Sequence, residues 1–291
     1  MGMPPQHLLT TLLGDYWYRR EEHLPSAALV RLAEEFGVSA VAARAALSRL
    51  ARRGLLESAK RGRRTYYRLT DRADEVLTEG QAHIMSFGGD SEPWDHRWTI
   101  AGFSVPEEQR DQRHALRTRL RWLGFAPLYD GMWVSPRAGA AETLKVLREL
   151  GVGNATVFRA EHVLGEAGSR LRDPVQAWDF DELRAAYDGF LAHYEPMLAR
   201  VREGAVGAAE ALITRSGIMD TWRTFPSLEP GLPAELLPDG WPRGRARAVF
   251  VEVYDKLGPL AEIRVAQIVA EFDPALAKRV HHHTTRSITH T

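Results

Sequence analysis

Nine cations stand between residues 44 and 68: Arg44, Arg49, Arg52, Arg53, Lys60, Arg61, Arg63, Arg64 and Arg68. Glu57 alone opposes them. Nine against one leaves a local charge of +8 in a chain of 291 residues whose Lys and Arg total 38 and whose Asp and Glu total 38. The neutrality of the whole hides a pole. So dense a patch suits one kind of chemistry: displacing counterions from a polyanion and holding its phosphates. A solvated basic hairpin is the plainer alternative. The elements around the patch decide between the two.

"PQHLLTTLLGDYWYR" spaces Leu8, Leu9, Leu12, Leu13 and Tyr16 at helical intervals. "PSAALVRLAEEFG" is a second helix, started by Pro25 and Ser26 and stopped by Gly37. "VSAVAARAALSRLARRG" is a third, from an N-cap at Ser39 to a stop at Gly54. At 100° per residue, Ala43, Ala46, Leu47 and Leu50 share the inward side of this helix. Val41, Arg44, Ala45, Ser48 and Arg52 share the outward side, with Arg49 at its flank, and Arg53 lies nearer the inward side. "GLLES" and "TYYRLT" form two strands, and "AKRGRR" between them is a turn centred on Gly62. Helix, helix, helix, hairpin is a winged helix, with a basic recognition helix and a cationic wing tip. Double-stranded DNA is the polyanion this arrangement fits.

Geometry divides the roles. The N-terminal part of a recognition helix reaches base edges, so Arg44 can make a bidentate contact to guanine and Ser48 can serve either base. Arg49, Arg52, Lys60, Arg61, Arg63 and Arg64 are expected on phosphates, together with Ser39 at the helix start and Tyr66 on the wing.

The composition excludes other chemistries. There is no Cys, so disulfides, thiolate metal sites and cysteine nucleophiles are absent. No apolar run is long enough to span a membrane, and the N-terminus lacks the basic stretch of a secretion signal, so a cytoplasmic location is expected. "HHHTTRSITHT" at the end is expected to be a disordered tail rather than a metal site.

Beyond the basic region, a Gly/Asp/Ser/Pro linker puts a boundary near residue 88. A strand over about 97–104, a helix with Leu116, Leu120 and Leu123 inward, a hairpin at Asp130-Gly131, a helix and a last strand follow. This β-α-β-β-α-β order is that of a ferredoxin-like domain. From about 174 the chain reads as helical, interrupted by the Pro-rich connector "PSLEPGLPAELLPDGWPRG". Val249, Phe250, Val253, Tyr254 and Leu257 form one buried stripe after it. The expected fold is α+β and multidomain: a winged helix over 1–87, a ferredoxin-like domain over 88–172, a helical C-terminal domain over 173–280 and a tail over 281–291.

"LLTTLLGDY", "ALSRLARRGLLE", "GRRTYYRLT", "RWLGFAPLYDGMWVSP" and "LEPGLPAELLPDGWP", in this order, resemble the PaaX family of bacterial transcriptional repressors. The resemblance covers nearly the whole chain. It implies a homodimer and a central domain like the small CRISPR-associated nucleases. It also implies repression of a catabolic operon, relieved by phenylacetyl-coenzyme A or another aryl- or acyl-coenzyme A. The chain departs from the family pattern at Glu229, where Asp is usual, and at Arg243, where Gly commonly follows Trp-Pro.

No cofactor is expected, and no catalytic residue stands out. The related nucleases hold a metal with an Asp at the end of the first strand; here Ser104 is near that position, and Ser is a poor ligand for a hard cation. A metal-dependent nuclease is thus the disfavoured alternative, and a regulator governed by protein contacts without a ligand is another. "GVGNAT" lacks the third Gly of a dinucleotide fingerprint. An acyl-coenzyme A needs cations and an apolar slot. Two groups could supply them: Arg119, Arg121, Trp122, Trp133 and Arg137 around the central hairpin, or Trp222, Arg223 and Trp241 beside the connector. Both could equally be packing residues.

Overall fold

The computed structural model describes residues 3–89, 93–162, 172–229 and 231–289. Residues 90–92 of the expected linker lie outside them. The chain is mixed α and β, with two antiparallel sheets.

Helix α1 (Pro5–Trp17) begins with Pro5, whose missing N–H costs nothing in a first turn. A two-residue strand β1 (Leu24–Pro25) leads into α2 (Ser26–Glu34), and α3 (Ala40–Arg52) follows. Strands β2 (Leu56–Arg61) and β3 (Arg64–Leu69) form a hairpin, and α4 (Asp71–Ser86) succeeds it. The sheet order is β1-β3-β2. The strand β1 was not foreseen, because two residues carry no periodicity.

Next come β4 (Arg97–Phe103), α5 (Arg110–Trp122), β5 (Ala126–Tyr129), β6 (Met132–Ser135), α6 (Ala140–Glu149) and β7 (Ala155–Glu161). The element order is the one read from the sequence, and the strands lie in the order β5-β6-β4-β7. Gly131, at φ +72, turns the β5–β6 hairpin where a Cβ would stand 2.6 Å from the Phe103 carbonyl oxygen, so only glycine fits. The C-terminal part holds α7 (Phe180–Arg202), α8 (Ala208–Trp222), α9 (Phe225–Leu228), α10 (Arg243–Ala270), α11 (Pro274–Ala277) and α12 (Thr285–Thr289).

These elements fall into two compact units, grouped differently from the expected domains. One comprises Met1–Ser86, Phe190–Arg223 and Arg245–Thr291; the other comprises Phe87–Gly189 and Thr224–Gly244. Residues 190–223 and 245–291 of the helical C-terminal segment group with residues 1–86. The physical reason is visible on α1. Its Leu8, Leu9, Leu12, Leu13 and Tyr16 are fully buried, which takes cover from α2, α3 and α8 together. Burying each such side chain contributes about 1.5–3 kcal/mol before entropy is counted. A helical wheel shows that a face is apolar, not which distant helix covers it.

At the centre of the first unit, Arg215 of α8 is completely buried. Its Nη1 donates to Asp15 Oδ2 at 3.1 Å and to the Tyr16 hydroxyl at 3.3 Å, and its Nε donates to the Tyr254 carbonyl at 3.2 Å. The Tyr254 hydroxyl donates to Asp15 Oδ1 at 2.7 Å, and its ring lies 3.9 Å under the guanidinium carbon. Burial pushes the Tyr16 hydroxyl up to about 12.

The run from His281 is not a free tail. Arg215 also donates to the His283 carbonyl oxygen. The His282 backbone N–H donates to Glu262 at 2.8 Å, and the Thr285 N–H and hydroxyl both donate to Asp255 at 2.8 Å. A Cβ on Gly258 would meet the His282 ring at 2.3 Å, so glycine makes room for it. Chain-end position suggested disorder; carboxylates on α10 override it.

In the second unit the sheet is covered on both faces. Ala101 and Trp133 pack with Leu116, Leu120, Val146 and Leu147 of the two helices. Trp98 and Val134, on the other face, pack with Trp178, Leu183 and Leu232. Strand alternation sends neighbouring residues to opposite faces, and both are apolar here. Glu229 ties the connector together. It accepts from the Tyr187 hydroxyl at 2.7 Å, from the Leu232 N–H at 2.9 Å and from Trp241 Nε1 at 3.3 Å, and it pairs with Arg243. The two departures noted in the sequence, Glu229 and Arg243, thus pair with each other.

Candidate nucleic-acid interface

Helix α3 is anchored at its start by Ser39, whose Oγ accepts from the Ala42 N–H at 3.3 Å. Gly54 follows its end with φ +70. Ala43, Ala46, Leu47 and Leu50 are buried, while Val41, Arg44, Ser48, Arg49 and Arg52 are exposed. The two faces of the wheel are the two faces of the helix. Val41 is 76% exposed, so an apolar side chain sits beside Arg44 with nothing over it.

The hairpin is longer and its turn tighter than the sequence suggested. Arg61 pairs with Arg64 in the ladder, leaving only Gly62 and Arg63 as the turn. Gly62 has φ +63 at the first turn position, the conformation a two-residue hairpin needs there. Lys60, Arg61 and Arg64 are therefore strand residues. They extend because residues at a hairpin end keep pairing until a positive φ stops them.

The register sorts the side chains. Arg61 opposes Arg64, Ala59 opposes Tyr66 and Glu57 opposes Arg68, so these share one face; Lys60 opposes Thr65 on the other. The Arg61 guanidinium lies 4.9 Å above the Tyr66 ring. Lys60, Arg61, Arg63 and Arg64 are exposed, and Tyr66 is half-buried.

One cation leaves the set. Arg68 Nε lies 2.6 Å from Glu57, and His23 Nε2 lies 2.9 Å from the same carboxylate. The hydrogen bond from Arg68 holds the Glu57 carboxyl below the usual range. Sequence reasoning missed this clamp. Its signal is the pairing of Glu57 with Arg68, readable once the hairpin register is known. Arg53 is exposed rather than inward, and its Nη1 reaches Gln6 Oε1 at 3.4 Å. Among the described residues, Arg44, Arg49, Arg52, Lys60, Arg61, Arg63 and Arg64 have no carboxylate partner within ion-pair distance.

The residues of the two groups considered for a small ligand make packing, hydrogen-bond and ion-pair contacts. Trp133 is 2% exposed and belongs to the sheet core, with Arg121 stacked 5.4 Å above it. Arg119 pairs with Glu149 at 3.6 Å, Trp122 is half-buried, and Arg137 Nε donates to the Gly231 carbonyl at 3.4 Å. In the second group, Trp222 and Arg223 belong to the first unit and Trp241 to the second. Trp222 is buried against Phe250, and Arg223 pairs with Asp220 at 2.7 Å. Trp241 donates to Glu229.

Ser104 lines a cleft with Asp130, Arg113 and Arg117. Two arginines beside one carboxylate are a poor donor set for a divalent cation. Glu262, His281 and His282 are the one group among the described residues whose ligand-type atoms lie within 4.8 Å of one another, and their contacts are the hydrogen bonds that hold the terminal run. No helix among those residues is long and apolar enough to cross a membrane.

Comparison with known proteins agrees with this architecture. Residues 5–73 match the family model described as PaaX-like protein, residues 91–171 the PaaX protein central Cas2-like domain, and residues 178–267 the PaaX-like protein C-terminal domain. The chain is 27% identical over 260 residues to the transcriptional repressor PaaX of Escherichia coli strain K12, spanning 87% of this chain and 80% of that protein. It also resembles the solved structure of an uncharacterized protein from Mycobacterium tuberculosis, with a TM-score of 0.56 at 22% identity over 91% of this chain and 98% of that one; that likeness concerns the fold alone. With three consecutive family models matched in order from helix α1 to helix α10, the chain belongs to the PaaX family.

Proposed function

We propose that this protein is a DNA-binding transcriptional repressor. The observation that carries the reading is the outward face of α3, where Arg44, Ser48, Arg49 and Arg52 are exposed opposite a fully buried apolar face. A helix held by its inner face and cationic on its outer face can enter a major groove. The hairpin adds Lys60, Arg61, Arg63 and Arg64 beyond it, as a wing tracking phosphates. The relative named as a transcriptional repressor supports the direction of control.

In this reading residues 1–87 act as a winged helix and the β4–β7 sheet with its two helices as a ferredoxin-like scaffold. Arg44 and Ser48 read bases. Ser39, Arg49, Arg52, Tyr66 and the wing cations hold phosphates. The protein acts as a homodimer on a pseudo-palindromic operator, with half-sites about 34–36 Å apart or a multiple of that. An aryl- or acyl-coenzyme A releases it by binding the DNA-incompetent arrangement better. A gel-shift series over the upstream DNA of neighbouring operons, with and without acyl-coenzyme A esters, tests it. Binding no tighter than to random DNA overturns the reading.

A further inference from the structure

A cavity of about 300 Å³ opens in the first unit among α1, the end of α3, α4 and α8. Its apolar wall includes Leu50, Leu77, Ile84 and Met219. His7, Arg53, Gln81 and Arg223 also line it. His7 and Arg53 are exposed, so the Arg53 guanidinium stands at the mouth. Arg223 Nη2 donates to His7 Nδ1 at 3.1 Å, which ties a second guanidinium to the rim. Inside, Gln81 has a solvent-inaccessible Oε1 with no hydrogen-bond partner. A buried polar atom left unpaired costs about 1–3 kcal/mol and calls for an explanation. A ligand supplies one. Turned over, the Gln81 amide offers its NH₂ to a carbonyl oxygen.

We propose that this cavity binds a compact apolar acyl group through its carbonyl, with an anionic end held at Arg53 and Arg223. The proposal rests on the effector-controlled repression set out above and gives the effector a site. At about 30 Å³ per water-sized group, the cavity holds on the order of ten non-hydrogen atoms. That is enough for an aromatic or medium-chain acyl group. A nucleotide stays outside.

The position explains control. Leu50 is on the inner face of α3, and Arg53 is the residue that caps the helix. An occupant wedged against Leu50 bears directly on the helix whose other face carries Arg44 and Ser48. A ligand that prefers the displaced helix shifts the population away from DNA. Neither group singled out from the sequence forms this site; only Arg223 is shared with it.

The test is titration calorimetry on the full chain with benzoate, phenylacetate and hexanoate, and in a second arm with their coenzyme A thioesters. Met219→Trp fills the cavity, and Gln81→Leu removes its amide. Melting curves report whether each variant is folded, and operator affinity without ligand adds a second check for Gln81→Leu. We expect about tenfold or greater loss of affinity in both variants, equivalent to about 1.4 kcal/mol or more, with operator binding unchanged in Gln81→Leu and weakened in Met219→Trp, whose ring takes the occupant's place. The two arms tell a free acid from an ester. Thioesters that bind and release DNA equally well from wild type and both variants overturn the site and leave the repression reading intact. Acids or esters that bind wild type, fail on the variants and yet leave DNA bound support the site and overturn effector release. No binding by any member of either arm overturns the site.

Discussion

Arg215 on α8 and Asp15 on α1 form an ion pair at 3.1 Å in which the arginine side chain is 0% and the aspartate 3% exposed. Two hundred residues of sequence separate them, and the pair ties the first helix to the C-terminal helices. Burying both charges is costly, and the Tyr16 and Tyr254 contacts offset part of that cost.

Removing one partner leaves the other charge stranded. Arg215→Leu is expected to lose about 3–5 kcal/mol of unfolding free energy. Asp15→Leu combined with Arg215→Leu should recover part of it, because no lone charge remains. Denaturant midpoints of the two variants check this; a double variant no more stable than the single one contradicts it.

Arg44 and Arg63 are expected to differ in kind. Arg44→Ala should cost about 1–3 kcal/mol on the operator and relax specificity at one base pair. Equal losses on operator and random DNA would remove its base-reading role. Binding isotherms on both duplexes decide.

Arg63→Ala should weaken operator and random DNA alike. It should flatten the slope of log affinity against log salt by about one. A salt series from low to moderate ionic strength measures the slope. An unchanged slope would take the wing tip off the phosphates.

Glu229→Ala strands Tyr187, Trp241, the Leu232 N–H and Arg243 together. A loss of about 3–5 kcal/mol is expected, as for other half-broken buried pairs. Arg243→Gly should couple to Glu229→Ala by about 1–3 kcal/mol in a double-mutant cycle. Additive effects would mean that the two departures are unrelated.

His283 gives the pH dependence. Burial, with the neighbouring His281 and Arg215 charges, pulls its pKa down to about 4 from 6.5. The unfolded chain then binds a proton that the folded chain does not between those values. Stability from this group is complete above about pH 6.5, falls as pH drops toward about 4 and is flat below. After discounting for the ring's partial exposure, the loss is on the order of 2 kcal/mol. Asp15, raised by burial against the pull of Arg215, works in the opposite direction. Comparison with His283→Gln isolates the histidine: the variant should lose less stability over this window.

The basic helix and hairpin were legible because their information is local. Ser39 caps, Gly54 stops and Gly62 turns, and the 3.6-residue period separates Arg44 from Leu47 without reference to the rest of the chain. The strand and helix order of the second unit was legible for the same reason. Pairings were not. The Arg68–Glu57–His23 clamp depends on hairpin register and on a strand too short to show a pattern.

Sequence alone thus determined the family, the mixed α and β character, the cationic outer face and which helical stripes are apolar. Each follows from residue type and spacing within a few turns. Tertiary structure decided which stripe meets which, and so which residues share a unit. It tied His282 to Glu262 of α10, matched Glu229 with Arg243 and opened a cavity behind the helix that carries Arg44. Those outcomes depend on contacts between residues tens to hundreds of positions apart, and no local period encodes which distant partner arrives.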